Sequence, residues 1–137
     1  MADTLTDAFR ATRYLVCVDL ETWADIRIDQ PLPRPLLAVV SDHCWGFITA
    51  WNPFSQPREE ALNVAAQRTL CASLRQLPAT IVLLPAVGLG MHGWNEPSLF
   101  VVGPAPPALD ALARQHQQLA YVHGAGALAA CLRFPAT

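Results

Sequence analysis

The chain has 137 residues, nine basic against eleven acidic for a net charge of −2, and 53% of it is hydrophobic. This suits one domain with a substantial core, and it excludes global disorder and a strongly basic nucleic-acid binder. All nine cations are arginine, so Schiff-base chemistry, pyridoxal anchoring and the phosphate-loop lysine are absent from this chain.

Asp3 can cap a short helix in which Leu5, Ala8, Phe9 and Thr12 follow one face, leading into a β-rich run from Tyr14 to Leu20. Ala24 to Asp29 alternates Asp25, Arg27 and Asp29 against Ile26 and Ile28, the pattern of a half-buried antiparallel strand. Pro31, Pro33 and Pro35 cannot donate to a ladder, so 30–35 reads as a stiff polyproline-like connection or a sheet edge. Leu36 to Val40 and Cys44 to Trp51 are apolar, β-branched runs around Ser41, Asp42 and His43, consistent with a hairpin or an interrupted strand. Asn52-Pro53 ends the second run.

Pro57 suits the first turn of a helix and Glu59 and Glu60 suit its dipole, with Leu62, Ala66, Leu70, Leu74 and Leu77 forming one stripe before Pro78. Thr80 to Leu84 reads as a buried strand, the segment with Gly88, Gly90 and Gly93 as a flexible loop, and Ser98 to Val102 as another strand. Pro106 and Pro107 can open a second helix whose Leu109, Leu112, Ala113 and His116 share a face. Tyr121 to His123 and Leu128 to Phe134 then supply final strands. The order predicts one α+β domain over residues 1–137: a mainly antiparallel sheet covered on one face by two helices, plus the short N-terminal helix.

No secretory signal is visible in the first sixteen residues, and Ala79 to Met91 is far short of the ~20 residues a membrane span needs. The expected setting is cytoplasmic, with no membrane partner. Cys17, Cys44, Cys71 and Cys131 form no Cys-x-x-Cys pair and read as small core hydrophobes.

Ala8 to Tyr14, the string Phe47-Ile48-Thr49-Ala50-Trp51-Asn52-Pro53, Asn63, Trp94 to Phe100 and Gln118-Leu119-Ala120 together resemble the bacterial DUF3293 family over roughly Ala8 to Gly124. The Ile-Thr-Ala-Trp-Asn-Pro string is the specific part. The family often carries a tyrosine where this chain has Phe9, and the resemblance implies no assigned activity.

Thr49, Asn52 and Ser55 stand between a strand end and a helix start, where side-chain oxygens and free N–H groups converge on a polar ligand or simply shape the turn and cap the helix. Asn63 and Gln67 flank the helical stripe and can face a groove between helix and sheet, or bond to a neighbouring strand. Glu96, beside Trp94 and before the strand at Ser98, is the only acid between Glu60 and Asp110. It is either a proton carrier of raised pKa or the partner of an arginine holding the loop. Gln118 can serve a ligand or cap a strand edge.

His43, Cys44, His92, His116 and His123 lack metal-site spacing, the glycine cluster is not a nucleotide motif, and no metal or cofactor is implied. Tryptophans among scattered arginines indicate packing rather than nucleic-acid stacking. The reading is thus a domain with a pocket between Trp51 to Ser55, Asn63 and Trp94 to Ser98 that recognises a small polar molecule, with Thr49 and Gln118 beside it. If chemistry occurs there, Glu96 carries the proton and Asn52 and Asn63 orient the substrate, although the residues define no reaction class. The alternative is a non-catalytic regulatory or adaptor module that docks another protein through its tryptophans and the proline edge at 31–35. A concave site joining Trp51, Trp94, Glu96 and Asn63 favours the first; a flat apolar patch favours the second.

Overall fold

In the computed structural model, which describes residues 4–135, the longest pairing is a hairpin of β4 (Val82–Leu89) and β5 (Asn95–Val102). Around it, β1 (Arg13–Cys17), β2 (Trp23–Ile26), β3 (Cys44–Ile48), β6 (Tyr121–Ala125) and β7 (Cys131–Arg133) complete a seven-stranded antiparallel sheet ordered β2-β1-β4-β5-β3-β6-β7. The helices are α1 (Thr4–Ala11), α2 (Arg34–Val40), α3 (Glu60–Gln76) and α4 (Pro106–Gln115). The fold is therefore α+β with a mainly antiparallel sheet. Asp3, the expected cap of α1, lies outside the described residues.

The sheet curls until its edges meet. Ile28, beyond β2, bridges Ala130, ahead of β7, and Pro31 bridges Ala129. Asp29 N–H donates to the Ala130 carbonyl at 2.7 Å, and Ala130 N–H to the Gln30 carbonyl at 2.9 Å. The proline segment is thus tied into the closure.

Strand alternation sorts side chains onto two faces. Val16, Ile26, Trp45, Phe47, Phe100, Val102 and Val122 build an inner core with Leu36 and Val40 of α2, and Phe9 of α1 packs against it. Ile48, Val101 and Tyr121 pack outward with Leu70 and Leu74 of α3 and Leu109, Leu112 and Ala113 of α4.

Four local expectations change. Leu36 to Val40 is a helix rather than a strand: Pro33 at its N-cap has φ −61°, Pro35 follows in the first turn, and Leu36 and Val40, four apart, are the buried pair. A five-residue apolar run carries no decisive period. β4 continues through Pro85 and Gly88 instead of breaking into a flexible loop. The β1 ladder ends at Ala86 and the β3 ladder at Leu99, so Pro85 and Pro97 each lie one or two residues beyond their outer neighbour's pairing.

α3 starts at Glu60 and not at Pro57, and its buried stripe runs through Asn63, Leu70 and Leu74, leaving Leu62 54% exposed. Finally, all four cysteines are free, but none is fully buried and Cys131 is exposed on the edge strand β7.

Candidate functional site

A cavity of about 430 Å³ opens on the inner face of the sheet, at the end where β3 finishes. α2 joins β3 near the opposite end, so the two fillings of the inner face are complementary: helix at one end, cavity at the other. Tyr14 (β1), Phe47 (β3), Gly88 (β4), Glu96 and Ser98 (β5) and Val122 (β6) form its floor. The register makes these residues neighbours, since Tyr14 pairs with Gly88, Gly88 with Glu96, and Phe47 with Val122. Leu5, Ala8 and Phe9 of α1, with Thr12 just beyond its end, form the roof, the four residues that the sequence puts on one face. Tyr14 holds that roof through its hydroxyl, which donates to the Phe9 carbonyl at 2.6 Å, and its ring meets Phe47 edge to face at 5.1 Å.

The remaining wall is the tip of the β4–β5 hairpin. His92 (φ 58°) and Gly93 (φ 75°) turn the chain in the left-handed region, and Gly90 N–H donates to the Trp94 carbonyl at 2.8 Å. Met91, His92 and Trp94 thereby face the cavity.

Glu96 is half-buried there, and burial pushes its carboxyl up to about 7. Hydrogen bonds from the side chains of Asn52 and Trp94 oppose part of that rise. Among the described residues no arginine pairs with Glu96, so the loop-anchoring alternative does not describe it. A carboxyl that changes charge near neutrality can accept or deliver a proton, or balance a cation.

Asn52 reaches Glu96 from a strained turn. Asn52 (φ 49°), Phe54 (φ 57°) and Ser55 (φ 57°) are all left-handed, spanning a short 3-10 turn at Pro53–Ser55. Asn63 Nδ2 donates to Asn52 Oδ1 at 2.7 Å, while Asn63 Oδ1 accepts Asn52 N–H at 2.9 Å and Arg58 Nε–H at 2.6 Å. With its oxygen held by Asn63, Asn52 has its amide N–H free to donate to Glu96.

Of the residues expected at a site, Thr49, Ser55, Trp94, Glu96, Ser98 and Gln118 line the cavity. Several of these polar groups also hold the frame. Thr49 Oγ1 donates to the Pro97 carbonyl at 2.7 Å, Ser98 Oγ to the Glu96 carbonyl at 2.9 Å and Gln118 Nε2 to the Trp51 carbonyl at 3.1 Å.

Trp51, Asn52 and Asn63 do not form the wall. Trp51 turns to a shallow groove on the outer face with Gln67, Arg68 and Pro97. Asn63 is only 2% exposed and stands behind Asn52, because one more residue of helical rotation carries it onto the buried stripe. The expected meeting of three segments is thus a meeting of two, the turn and the hairpin, with α1 in place of α3.

Phe9, Tyr14, Phe47, Met91 and Tyr121 were not read as site residues. The signal for Tyr14 and Phe47 was strand alternation, which assigns a face but not an opening. No group of three His, Cys, Asp or Glu side chains is arranged to hold a metal among the described residues. No helix among them is long and apolar enough to cross a membrane.

Sheet, roof and half-buried acid define an α+β domain with a chamber at the mouth of a curled antiparallel sheet. The model of DUF3293, described as a protein of unknown function, matches residues 48–121, and the chain belongs to that family. The matched span contains every site residue read from the sequence, while the α1 roof and Tyr14 lie outside it. No curated protein and no solved structure matches the chain.

Proposed function

We propose that this protein binds a small molecule in the chamber beneath α1, with Glu96 as the group that sets its polarity and, if a reaction occurs, carries the proton. The single observation behind this reading is a concave space of about 430 Å³ built around a half-buried carboxyl poised near 7. The surrounding Leu5, Ala8, Phe9, Phe47, Ala120 and Val122 narrow the ligand class from simply polar to an apolar body bearing a polar group. A cytoplasmic setting accompanies this reading, supported by four free cysteines. A protein-docking role has less support. Pro31 is bridged to Ala129, Trp45 is buried and Trp51 and Trp94 are half-buried, which leaves Trp23 alone exposed among the tryptophans.

Gly88 provides the test. A Cβ there meets nothing closer than 3.8 Å, so Gly88→Leu fills the chamber with little strain on the strand. In a thermal-shift screen of amines, alcohols, carboxylic acids and sugars, at least one class should raise the melting temperature of the wild type and not of Gly88→Leu. Equal shifts in both proteins, or none in either, would overturn the assignment.

A further inference from the structure

The chamber has an unbalanced charge. Among the described residues, Glu96 is the one acid in its wall and no arginine lines it. Among the described residues that line it, His92, at the exposed hairpin tip, is the one side chain able to carry positive charge. The polar side chains that act on the carboxyl, the Asn52 amide and the Trp94 indole, are neutral donors. Neutral donors orient a carboxylate without cancelling its charge.

Around it stand the rings of Phe9, Tyr14, Phe47 and Trp94. Their negative π faces attract a cation and their bulk excludes water from an apolar body. An anionic ligand would meet an uncompensated carboxylate, and a neutral one would leave it desolvated with no opposite charge beside it.

We infer that the chamber takes an organic ammonium, a molecule with an apolar, ring-sized body and one protonated amine, seated with the amine on Glu96 and the body among the aromatic rings. This rests on the chamber being a binding site at all, and it adds the sign of the ligand's charge. The ammonium requires the ionised carboxylate, so binding and deprotonation of Glu96 are linked. The other titratable side chains that face the chamber are Tyr14 and His92; the Tyr121 hydroxyl points away, to Asp110. Both tyrosines are raised further above neutrality by burial and stay uncharged, whereas a protonated His92 would act in the same direction as protonated Glu96.

The test compares three probes of one shape, 2-phenylethylammonium, 2-phenylethanol and phenylacetate, by calorimetric titration of the wild type at pH 6 and pH 8. The ammonium should bind at least tenfold more tightly than the alcohol at pH 8, and about tenfold more weakly at pH 6 than at pH 8, as one linked proton requires. Phenylacetate should bind weakest. Glu96→Gln should erase the preference for the ammonium while keeping the alcohol, and the pH series on the wild type gives the same answer if that variant does not fold. Equal or tighter binding of the alcohol or the acid would overturn the ammonium assignment and leave the chamber standing as a binding site. Failure of all three probes would overturn both.

Discussion

Asn63 and Asn52 form a reciprocal pair: the Asn63 amide donates to Asn52 Oδ1 at 2.7 Å, and the Asn63 oxygen accepts the Asn52 backbone N–H at 2.9 Å. This clip fixes a left-handed residue beyond the end of β3, and the Asn52 side chain so held opposes part of the rise in the Glu96 pKa. A residue of the long helix therefore acts on the chamber without touching it.

Removing the clip exposes its cost. Asn63→Ala leaves the buried Asn52 N–H and the Arg58 Nε–H without their acceptor, and the expected loss is about 2–4 kcal/mol of stability. Urea denaturation checks this; a change below about 0.5 kcal/mol would mean that the turn holds its shape unaided.

The Glu96 carboxyl gives stability a defined pH dependence. Its folded pKa of about 7 lies above the ordinary 4.5, so between those values the folded state keeps a proton that the unfolded state has released. The sign follows: stability declines as pH rises through that window and levels off above it. Glu96→Gln should flatten the decline and, at pH 8, exceed the wild type by about 1–3 kcal/mol, allowing for partial exposure. Thermal melts from pH 5 to pH 8 read both effects.

Asp110 behaves in the opposite sense. It is 4% exposed, accepts Arg133 at 2.8 and 2.7 Å and the Tyr121 hydroxyl at 2.7 Å, and the Arg133 hydrogen bonds hold its carboxyl down at about 2. Its contribution is present above the ordinary carboxylate range and is lost as pH falls toward 2. Asp110→Asn should cost roughly 2–4 kcal/mol at neutral pH by leaving Arg133 without its charged partner, and should shrink the acid-induced loss seen by circular dichroism between pH 4 and pH 2.

Two glycines of the sheet should respond unequally to alanine. A Cβ on Gly124 would lie 2.7 Å from Cζ2 of Trp45, an indole 1% exposed and stacked on Phe100 at 5.5 Å. At Gly46 the clash is with Leu109 Cδ1, the end of a flexible side chain. Gly124→Ala should therefore lose about 1–3 kcal/mol and Gly46→Ala less, an order that thermal melts of the two variants establish.

The site was partly legible because alternation along a strand is local. Glu96 and Ser98 share a face by parity, and the Leu5, Ala8, Phe9 and Thr12 stripe, along α1 and just beyond its end, is the very face that roofs the chamber. Asn63 borders the apolar stripe, so the sequence leaves open whether its amide faces a groove or bonds to a neighbouring segment, and only the packing of α3 on the sheet decides for the second. Leu36 to Val40 was misread for a related reason: two prolines start a helix there, in a run too short for its period to tell.

The sequence by itself determined the α+β class, the long helices α3 and α4, the absence of lysine chemistry and the lone acid beside Trp94, since these follow from composition and from periods of two and 3.6 residues. Only the tertiary structure decided that the sheet curls, that α1 closes its mouth and that Glu96 sits half-dry beneath it. Those outcomes depend on which distant strands pair and in what register, and desolvation of one carboxyl by β1, β3, the hairpin tip and α1 together has no local trace in the chain.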